Sequence, residues 1–292
     1  MGLRNWLENL PSRKGVLGIN ARNLDLIYTH NERRNFPNVD DKLRCKALLE
    51  KAGVPVPKTY HVVDGPRSIK GWKAAVEGVP AFVLKPNTGY GGNGIVLVRR
   101  TDKGFRSGGE DIDEADIEFH LSQILNGAFS LDNVSDSGYL EEMMINHPGL
   151  DPFMPEGVEG VGDIRLIYKL DQPVMAMVRL PTCESGGRAN LHQGGIGVGV
   201  DLITGISTGG CYKGGIIDTH PESGGALSGI AVPHFDKMLE YGAGISDVVG
   251  LGYIGVDFVC DARYGPLVLE VNARPGLAIQ IANRTGIRSR IS

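Results

Sequence analysis

Cysteine is scarce: four residues, Cys45, Cys183, Cys211 and Cys260, are scattered through 292 positions without CxxC spacing. That argues against structural zinc and a disulfide framework, and points to reduced thiols in a reducing compartment. No apolar run reaches the ~20 residues of a spanning helix. The opening residues, MGLRNWLENLPSRK, have no apolar signal core, and Trp6 stands where N-myristoylation needs Ser or Thr. The expectation is a cytoplasmic protein without membrane insertion. A basic excess is missing too: 30 Lys and Arg face 34 Asp and Glu, for a net charge of −4. Nothing here argues for nucleic acid or an anionic membrane as the main partner, and neither is expected. There is no GK[ST], so no Walker A loop, and no Ser/His/Asp set that suggests a nucleophile. Glycine is abundant instead, at 42 residues, about double ordinary usage. It is not periodic, which excludes collagen and repeats. It concentrates at 89–94, 186–199, 205–215 and 224–229, as backbone-rich loops. With 41% apolar residues, the chain can build a large core, in two lobes.

In chain order, residues 1–38 show little periodicity; VLGIN (16–20) and LDLIY (24–28) read as short strands or turns. NVDDKLRCKALLEKAGVPVP (38–57) reads as a helix capped by Asn38 or Asp40, with Leu43, Ala47, Leu48 and Ala52 on its apolar face. Lys42 falls in the first turn, where a cation opposes the helix dipole unless it meets a phosphate; an ordinary surface lysine fits as well. A short helix is expected in 68–78. Ala81–Leu84 then forms a buried strand delivering Lys85, followed by the loop GYGGNG and a second strand, Ile95–Val98. The loop matches GxGxxG in form, but a dinucleotide fingerprint opens a helix and this one opens a strand. A flap whose N–H groups close over phosphates fits better. Residues 113–126 form an amphipathic helix with an acidic start, on which His120 reads as structural. In GYLEEMMINH (138–147), alternation places Glu142 with Leu140 and Met144, and Glu141 on the other face; such a strand could hold an adenine ring or be an ordinary half-buried one. GDIRLIYKL and QPVMAMVRL make a hairpin around Asp171–Gln172 carrying Asp163, Arg165 and Arg179. The loop 185–205, with Arg188, Asn190 and His192, is too polar for core; His192 lacks the companions of a zinc ligand. His220 and His234 read as structural, and 231–249 as a long helix.

The stretch that organises the rest is GYIGVDFVCDARYGPLVLEVNARPG (252–276). Two apolar runs flank the turn-rich DARYGP. A turn centred between Arg263 and Tyr264 sets Asp257 opposite Glu270, with Asn272 on the same face. Two carboxylates so close raise one pKa unless a cation lies between them; hard oxygen donors of this kind suit Mg²⁺. A solvent-facing polar stripe fits the same residues.

The order of the DK helix, KPN strand with glycine loop, LEEMM, DIR, RANLHQGG and GVDFV…LVLEVNARPG resembles the ATP-grasp superfamily of carboxylate–amine ligases. Within it, the chain is most similar to alpha-L-glutamate ligase-like proteins of the RimK type, over about residues 38–283. The resemblance implies an α+β ATP-grasp fold, two α+β lobes gripping ATP between antiparallel sheets. A short segment 1–37 would precede an N-lobe at 38–145 with the flap and a C-lobe at 146–292 with the metal site. It implies that Lys42 and Lys85 meet ATP phosphates, Lys85 also near the adenine, under a flap formed by Gly89, Gly91, Gly92 and Gly94. Glu142 and the Met143–Met144 backbone would hold adenine; Asp163, Arg188 and Asn190 would line the nucleotide. Asp257, Glu270 and Asn272 would bind two Mg²⁺ ions, with Mn²⁺ as a substitute, while Arg165 and Arg179 steady the transferred phosphate or acyl group. Arg274 replaces a small residue of many relatives, and its role is open.

The implied reaction is an ADP-forming ligation of a carboxylate to an amine through an acyl phosphate, adding glutamate or another amino acid to a peptide or small acceptor. A kinase on the same fold and a nucleotide-binding subunit are the alternatives. Typical relatives carry a full α/β domain before the DK helix, whereas about forty residues precede it here. A second subunit or a partner protein completing the acceptor site is therefore expected.

Overall fold

The computed structural model describes residues 15–89, 91–130, 133–154, 158 and 160–291. The chain divides into two units, each with its own antiparallel sheet and apolar core. One unit takes Asp41–Leu43 and Pro57–Met144; the other takes the chain up to Asp40, Arg44–Val56 and everything from Ile145 on. The division departs from the expected boundaries at its start. Helix α1 (Lys42–Lys51) buries Cys45, Lys46 and Leu49, and Cys45 and Leu49 join the core of the larger unit. The buried face is thus not the expected Leu43, Ala47, Leu48, Ala52 stripe. A ten-residue helix with apolar residues on two sides leaves that choice to its packing partner.

In the smaller unit, β1 (Thr59–Val63), β2 (Ala81–Pro86), β3 (Val96–Thr101), β4 (Gly104–Ser107), β5 (Glu110–Ile112) and β6 (Gly138–Glu142) form one sheet in the order β1-β6-β2-β3-β4-β5. Helix α2 (Glu114–Leu125) starts at Asp113, whose carboxylate accepts from Asp116 N while Asp116 reaches back to Asp113 N. That reciprocal cap satisfies two otherwise orphaned amides. α2 sends Ile117, Leu121 and Ile124 into a core with Phe82, Leu84, Val98, Phe105, Leu140 and Trp72. The helix expected in 68–78 is split into two single-turn helices, Pro66–Ile69 and Trp72–Ala75.

In the larger unit, β7 (Asp163–Lys169), β8 (Gln172–Leu180), β9 (Ile196–Val200), β10 (Ile206–Tyr212), β11 (Gly215–Ile217), β12 (Ser228–Ala231), β13 (Tyr253–Asp261) and β14 (Gly265–Asn272) form the order β11-β10-β9-β8-β7-β13-β14, with β12 on β10. The β7–β8 turn centres on Leu170–Asp171, one residue before the expected place, with Leu170 at φ 56. Helix α3 (Phe235–Val249) covers one sheet face, meeting Leu166, Tyr168, Val178, Ile254, Val256 and Phe258. Gly242 makes that approach feasible: a Cβ there would lie 2.1 Å from Tyr168 Oη.

The segments at 16–20 and 24–28 are not strands. Ile19–Ala21, a π-helical stretch Arg22–Ile27 and Tyr28–His30 run on as one helical segment. Leu17, Leu26 and Ile27 pack with Ile167, Met175, Met177, Tyr253 and Ile279, against the sheet face opposite α3. Short apolar runs do not separate helix from strand by periodicity, so tertiary packing decides. Asn31 ties the segment down: its Nδ2 donates to Tyr253 O (2.7 Å) and Ala273 O (3.1 Å), and its Oδ1 accepts from Tyr253 N (2.8 Å). Residues 15–40 thus pack as part of the larger unit.

Candidate functional site

Four strands of the larger sheet carry a line of charge. Asp163 opposes Arg179 across β7–β8, Arg165 opposes Asp257 across β7–β13, and Asp257 opposes Glu270 across β13–β14. Each is a directly opposed pair, so all share the face away from α3. Arg165 grips Asp257 with two bonds, Nε to Oδ1 and Nη2 to Oδ2, both 2.7 Å. Arg179 is shared: its Nη2 meets Asp257 Oδ2 at 2.7 Å and its Nε meets Asp163 Oδ1. Asn272 Nδ2 adds a bond to Asp257 Oδ2 at 3.2 Å. Asp163 and Arg165 share a face as expected, yet each takes its partner from a neighbouring strand.

The Asp257–Glu270 opposition arises by an unexpected route. Asp261 pairs with Gly265, so the turn is Ala262–Arg263–Tyr264, centred on Arg263. Continued without interruption, that register would set Asp257 against Leu269 and turn Glu270 to the other face. Instead Phe258 pairs with Val268 and Asp257 with Glu270, so Leu269 is an extra residue, a β-bulge.

Burial alone would raise the Asp257 carboxyl, but Arg165 and Arg179 together outweigh it and hold it down at about 2. Asp163 goes the other way. Burial pushes it up to about 7, Asp257 adds to the rise, and Arg179 does not cancel it. Burial would lower Arg179, yet Asp163 and Asp257 raise it above its ordinary value. Of the two aspartates, Asp257 is held in its charged form, while Asp163 keeps its proton to higher pH than an ordinary carboxyl. The sign of the consequence follows. An acid raised in the folded state binds a proton that the unfolded chain, with a value near ~4, has lost. Stability contributed by Asp163 therefore falls as pH rises from about 4 to about 7. Asp257 acts only below that window. Asp163→Asn should flatten the decline between pH 4.5 and 7, checked by urea melts across ~pH 4.5–7.5.

Could these residues hold a hard divalent cation? Among the described residues, no group of three or more His, Cys, Asp or Glu is arranged for a metal. The donors are two carboxylates and one amide. Among the described residues, Asp257 Oδ2 is filled by three donors, whereas Oδ1 receives only Arg165 Nε, which leaves acceptor capacity. Asn272 donates through its nitrogen, so its oxygen remains for coordination. An oxygen-only set with few protein ligands fits Mg²⁺, which keeps waters and substrate oxygens in its shell.

In the smaller unit, Lys85 stands near the end of β2, as expected, and forms an ion pair with Glu141, which is 2% exposed. Register explains the choice of acid. Val83 opposes Glu141 and Lys85 opposes Tyr139, while Glu142 opposes Phe82 on the face of Leu84 and Leu140. The alternation read from the sequence holds, but Glu142 is on the face opposite Lys85; the acid beside the lysine is Glu141. Met143 and Met144 follow β6 and are buried. The loop leaving β2 opens β3, a strand rather than a helix, as its context required. Gly91, Gly92 and Gly94 take φ values of 66, 83 and 75, conformations only glycine adopts readily. Tyr90 lies outside the described residues. Lys42 Nζ donates to the carbonyls of Asn87 (3.3 Å) and Gly89. Asn87 Oδ1 accepts from Leu43 N at 2.8 Å and so caps α1 from outside.

His120 on α2 reaches the far stem of this loop. Its Nε2 donates to Gly94 O at 2.8 Å, and its ring packs tilted against Phe129 with centroids 5.1 Å apart. Burial lowers its pKa, so the neutral ring serves as donor. His120→Phe should speed amide exchange of Gly91–Ile95 about fivefold, the worth of one ordinary hydrogen bond, as read by hydrogen–deuterium exchange. His120→Gln should keep the wild-type rate.

Two expected nucleotide residues sit on the 185–195 loop. Arg188 is exposed, and Asn190 Oδ1 accepts from His192 N at 3.0 Å. Glu141 and Asn87 were not singled out from the sequence. The alternation of LEEMM pointed to one acid or the other, and KPN carried Asn87 beside Lys85. Among the described residues no helix is long and apolar enough to cross a membrane.

Comparison with known proteins fits this geometry. The chain is 28% identical over 254 residues to a probable alpha-L-glutamate ligase 2 of Hahella chejuensis, covering 86% of this chain and 60% of that protein. It is 29% identical over 241 residues to a probable alpha-L-glutamate ligase of Cellvibrio japonicus, covering 81% and 56%. It thus spans less than two thirds of these relatives. Among solved structures, pyruvate carboxylase of Rhizobium etli matches with a TM-score of 0.52 at 17% identity, over 90% of this chain and 18% of that one, a likeness of fold. A family model described as sugar-transfer associated ATP-grasp matches residues 21–292. That range includes both sheets, the glycine loop and the Asp257–Glu270 hairpin, and the chain belongs to the sugar-transfer-associated ATP-grasp family.

Proposed function

We propose that the chain is an ADP-forming ligase that joins a carboxylate to an amine through an acyl phosphate. The observation that carries this reading is the buried line Asp163–Arg179–Asp257–Arg165, ending at Glu270 and Asn272. It sets two fixed guanidinium groups beside an ionised carboxylate and a hard-oxygen donor set. Phosphoryl transfer asks for positioning and charge neutralisation more than for a nucleophilic side chain.

In this reading a substrate carboxylate oxygen attacks the γ-phosphorus of ATP, the bond to the β-phosphate bridge breaks, and ADP leaves with the electron pair. An amine then adds to the acyl carbon; the tetrahedral adduct expels phosphate and loses a proton, leaving an amide. Asp257, Glu270 and Asn272 would hold Mg²⁺, which supplies neutralisation of phosphate charge when bound. Arg165 and Arg179, locked by their own carboxylates, orient the transferred group without reorganising. Lys42 and Lys85 are assigned to phosphate oxygens, with Glu141 fixing Lys85. Met143 and Met144 are assigned to the adenine, and Asp163, Arg188 and Asn190 to the nucleotide edge. The loop at Gly89–Gly94 excludes water from the acyl phosphate. The names of the curated relatives support glutamate or another amino acid as one substrate, with a peptide or small molecule as acceptor.

The test is ADP release from Mg²⁺ and ATP with panels of amino acids and peptides, with products identified by mass spectrometry. Amine-dependent release yielding an amide and no stable phosphoproduct is expected. A phosphoester product would replace the ligase with a kinase, and no release with any acceptor would leave a nucleotide-binding subunit.

A further inference from the structure

The helical segment before α1 received no role above, yet it brings a cation to the functional face. Arg22 opens the π-helical stretch, a helix form found frequently at functional sites. Its Nη1 donates to Pro275 O at 3.0 Å, and its Nε and Nη2 to Asn23 Oδ1 at 3.1 and 2.8 Å. Among the described residues no carboxylate pairs with it. Its neighbour is another cation: Arg274, stacked over Phe36 at 4.4 Å and paired at 3.3 Å with the exposed Asp40. Burial lowers the Arg22 pKa and Arg274 lowers it further, while Tyr253 favours its charge. Tyr253 supplies the second observation. It is fully buried and its hydroxyl has no hydrogen-bond partner among the described residues. Burial pushes that phenol up to about 12, and Arg22 is close enough to pull against the rise. A hydroxyl left bare in the interior is costly.

The placement is suited to a substrate. Tyr253, Gly255 and Asp257 alternate onto one face of β13, which puts Tyr253 ~13 Å along the strand from Asp257. Gly255 lets the 274–276 turn lie on the strand: a Cβ there would fall 2.8 Å from Pro275 Cβ. Tying a helix to a turn would account for the Arg22–Pro275 bond. It does not account for a buried phenol with nothing to bond, close to two guanidinium groups of which only Arg274 has a carboxylate partner among the described residues. An oxyanion would satisfy that hydroxyl and neutralise the paired cations.

The geometry points to Arg22, Arg274 and Tyr253 as a subsite for an oxyanion, a carboxylate or phosphate on the non-reacting end of the substrate, distinct from the nucleotide phosphates. The inference deepens the ligase reading and rests on it for the word substrate, but its test needs no turnover. Thermal melts with excess Mg²⁺ and ADP, at constant ionic strength against chloride, are titrated separately with glutarate and with inorganic phosphate. One of the two should raise the wild-type midpoint. Its apparent affinity should fall at least ~10-fold in Arg22→Gln and ~3-fold in Tyr253→Phe, as expected for losing a charge-assisted and a neutral bond. Arg274→Gln, at an exposed position, should weaken it as well. Tyr253→Phe without ligand should melt no lower than wild type, since it removes an unsatisfied hydroxyl. A glutarate response assigns a carboxylate, and a phosphate response lost in Arg22→Gln assigns a phosphate. No response to either, or equal responses in wild type and all three variants, overturns the subsite. A protein that shows the response but never releases ADP has the subsite and not the ligase chemistry.

Discussion

Glu270→Ala is expected to lower ATP turnover at least ~10³-fold, comparable to losing a preorganised electrostatic group, while the melting temperature moves by no more than ~2 °C. The two halves of this expectation have separate causes. Glu270 is only half buried, on the last strand of the sheet path, so truncating it opens no core cavity. It also stands directly opposite Asp257, so the like-charge repulsion relieved by its removal offsets the attraction to Arg179 that is lost. Turnover is different, because the donor set has only two carboxylates and an amide. Losing Glu270 halves the anionic donors and leaves Asp257, whose Oδ2 is already occupied by Arg165, Arg179 and Asn272. ADP release beside a thermal melt measures both halves. Turnover like that of wild type in a folded Glu270→Ala protein would sink the metal assignment.

That residue also shows what can be read from a linear sequence. DARYGP between two apolar runs marks a hairpin, and the opposition of Asp257 and Glu270 follows from counting outward. The count succeeds for a reason it does not contain: the turn is centred on Arg263, and the bulge at Leu269 restores the difference. A bulge in an apolar strand has no distinctive residue, since Leu269 would suit any strand position. The ion pairs were less accessible. Arg165 and Asp257 are 92 residues apart and meet only because β13 inserts beside β7, an order set by the whole sheet. The same limit explains Glu141. Alternation separated it from Glu142, but which face carries Lys85 depends on the register of β6 against β2. Likewise the segment 19–30 has too few apolar residues to fix its own conformation, and becomes helical where the sheet accepts Leu26 and Ile27.

Arg179→Met should destabilise the fold by ~3–5 kcal/mol, the usual cost of stripping one partner from a buried charge group, and the loss should depend on pH. Among the described residues, Arg179 is the one bonded to both aspartates. Without it Asp257 still has the two bonds from Arg165, so it stays ionised, while Asp163 loses its guanidinium beside a persisting negative charge. Its proton is already held up to about 7, and the substitution can only raise that value. At pH 6 the neutral carboxyl tolerates the loss, and the cost should sit near the low end of that ~3–5 kcal/mol range. At pH 8 the variant must keep a proton against the solution or bury a bare carboxylate, and the cost should reach the upper end. Adding Asp163→Asn removes the titrating group, so the double variant should regain stability at pH 8 and lose the pH dependence. Urea melts of the single and double variants at both values test the coupling. Equal stability of Arg179→Met and wild type at pH 8, or no recovery in the double variant, would mean that Asp163 and Arg179 do not act as a unit. The preorganised cluster on which the proposed ligase chemistry rests would then have to be held by Arg165 and Asp257 alone.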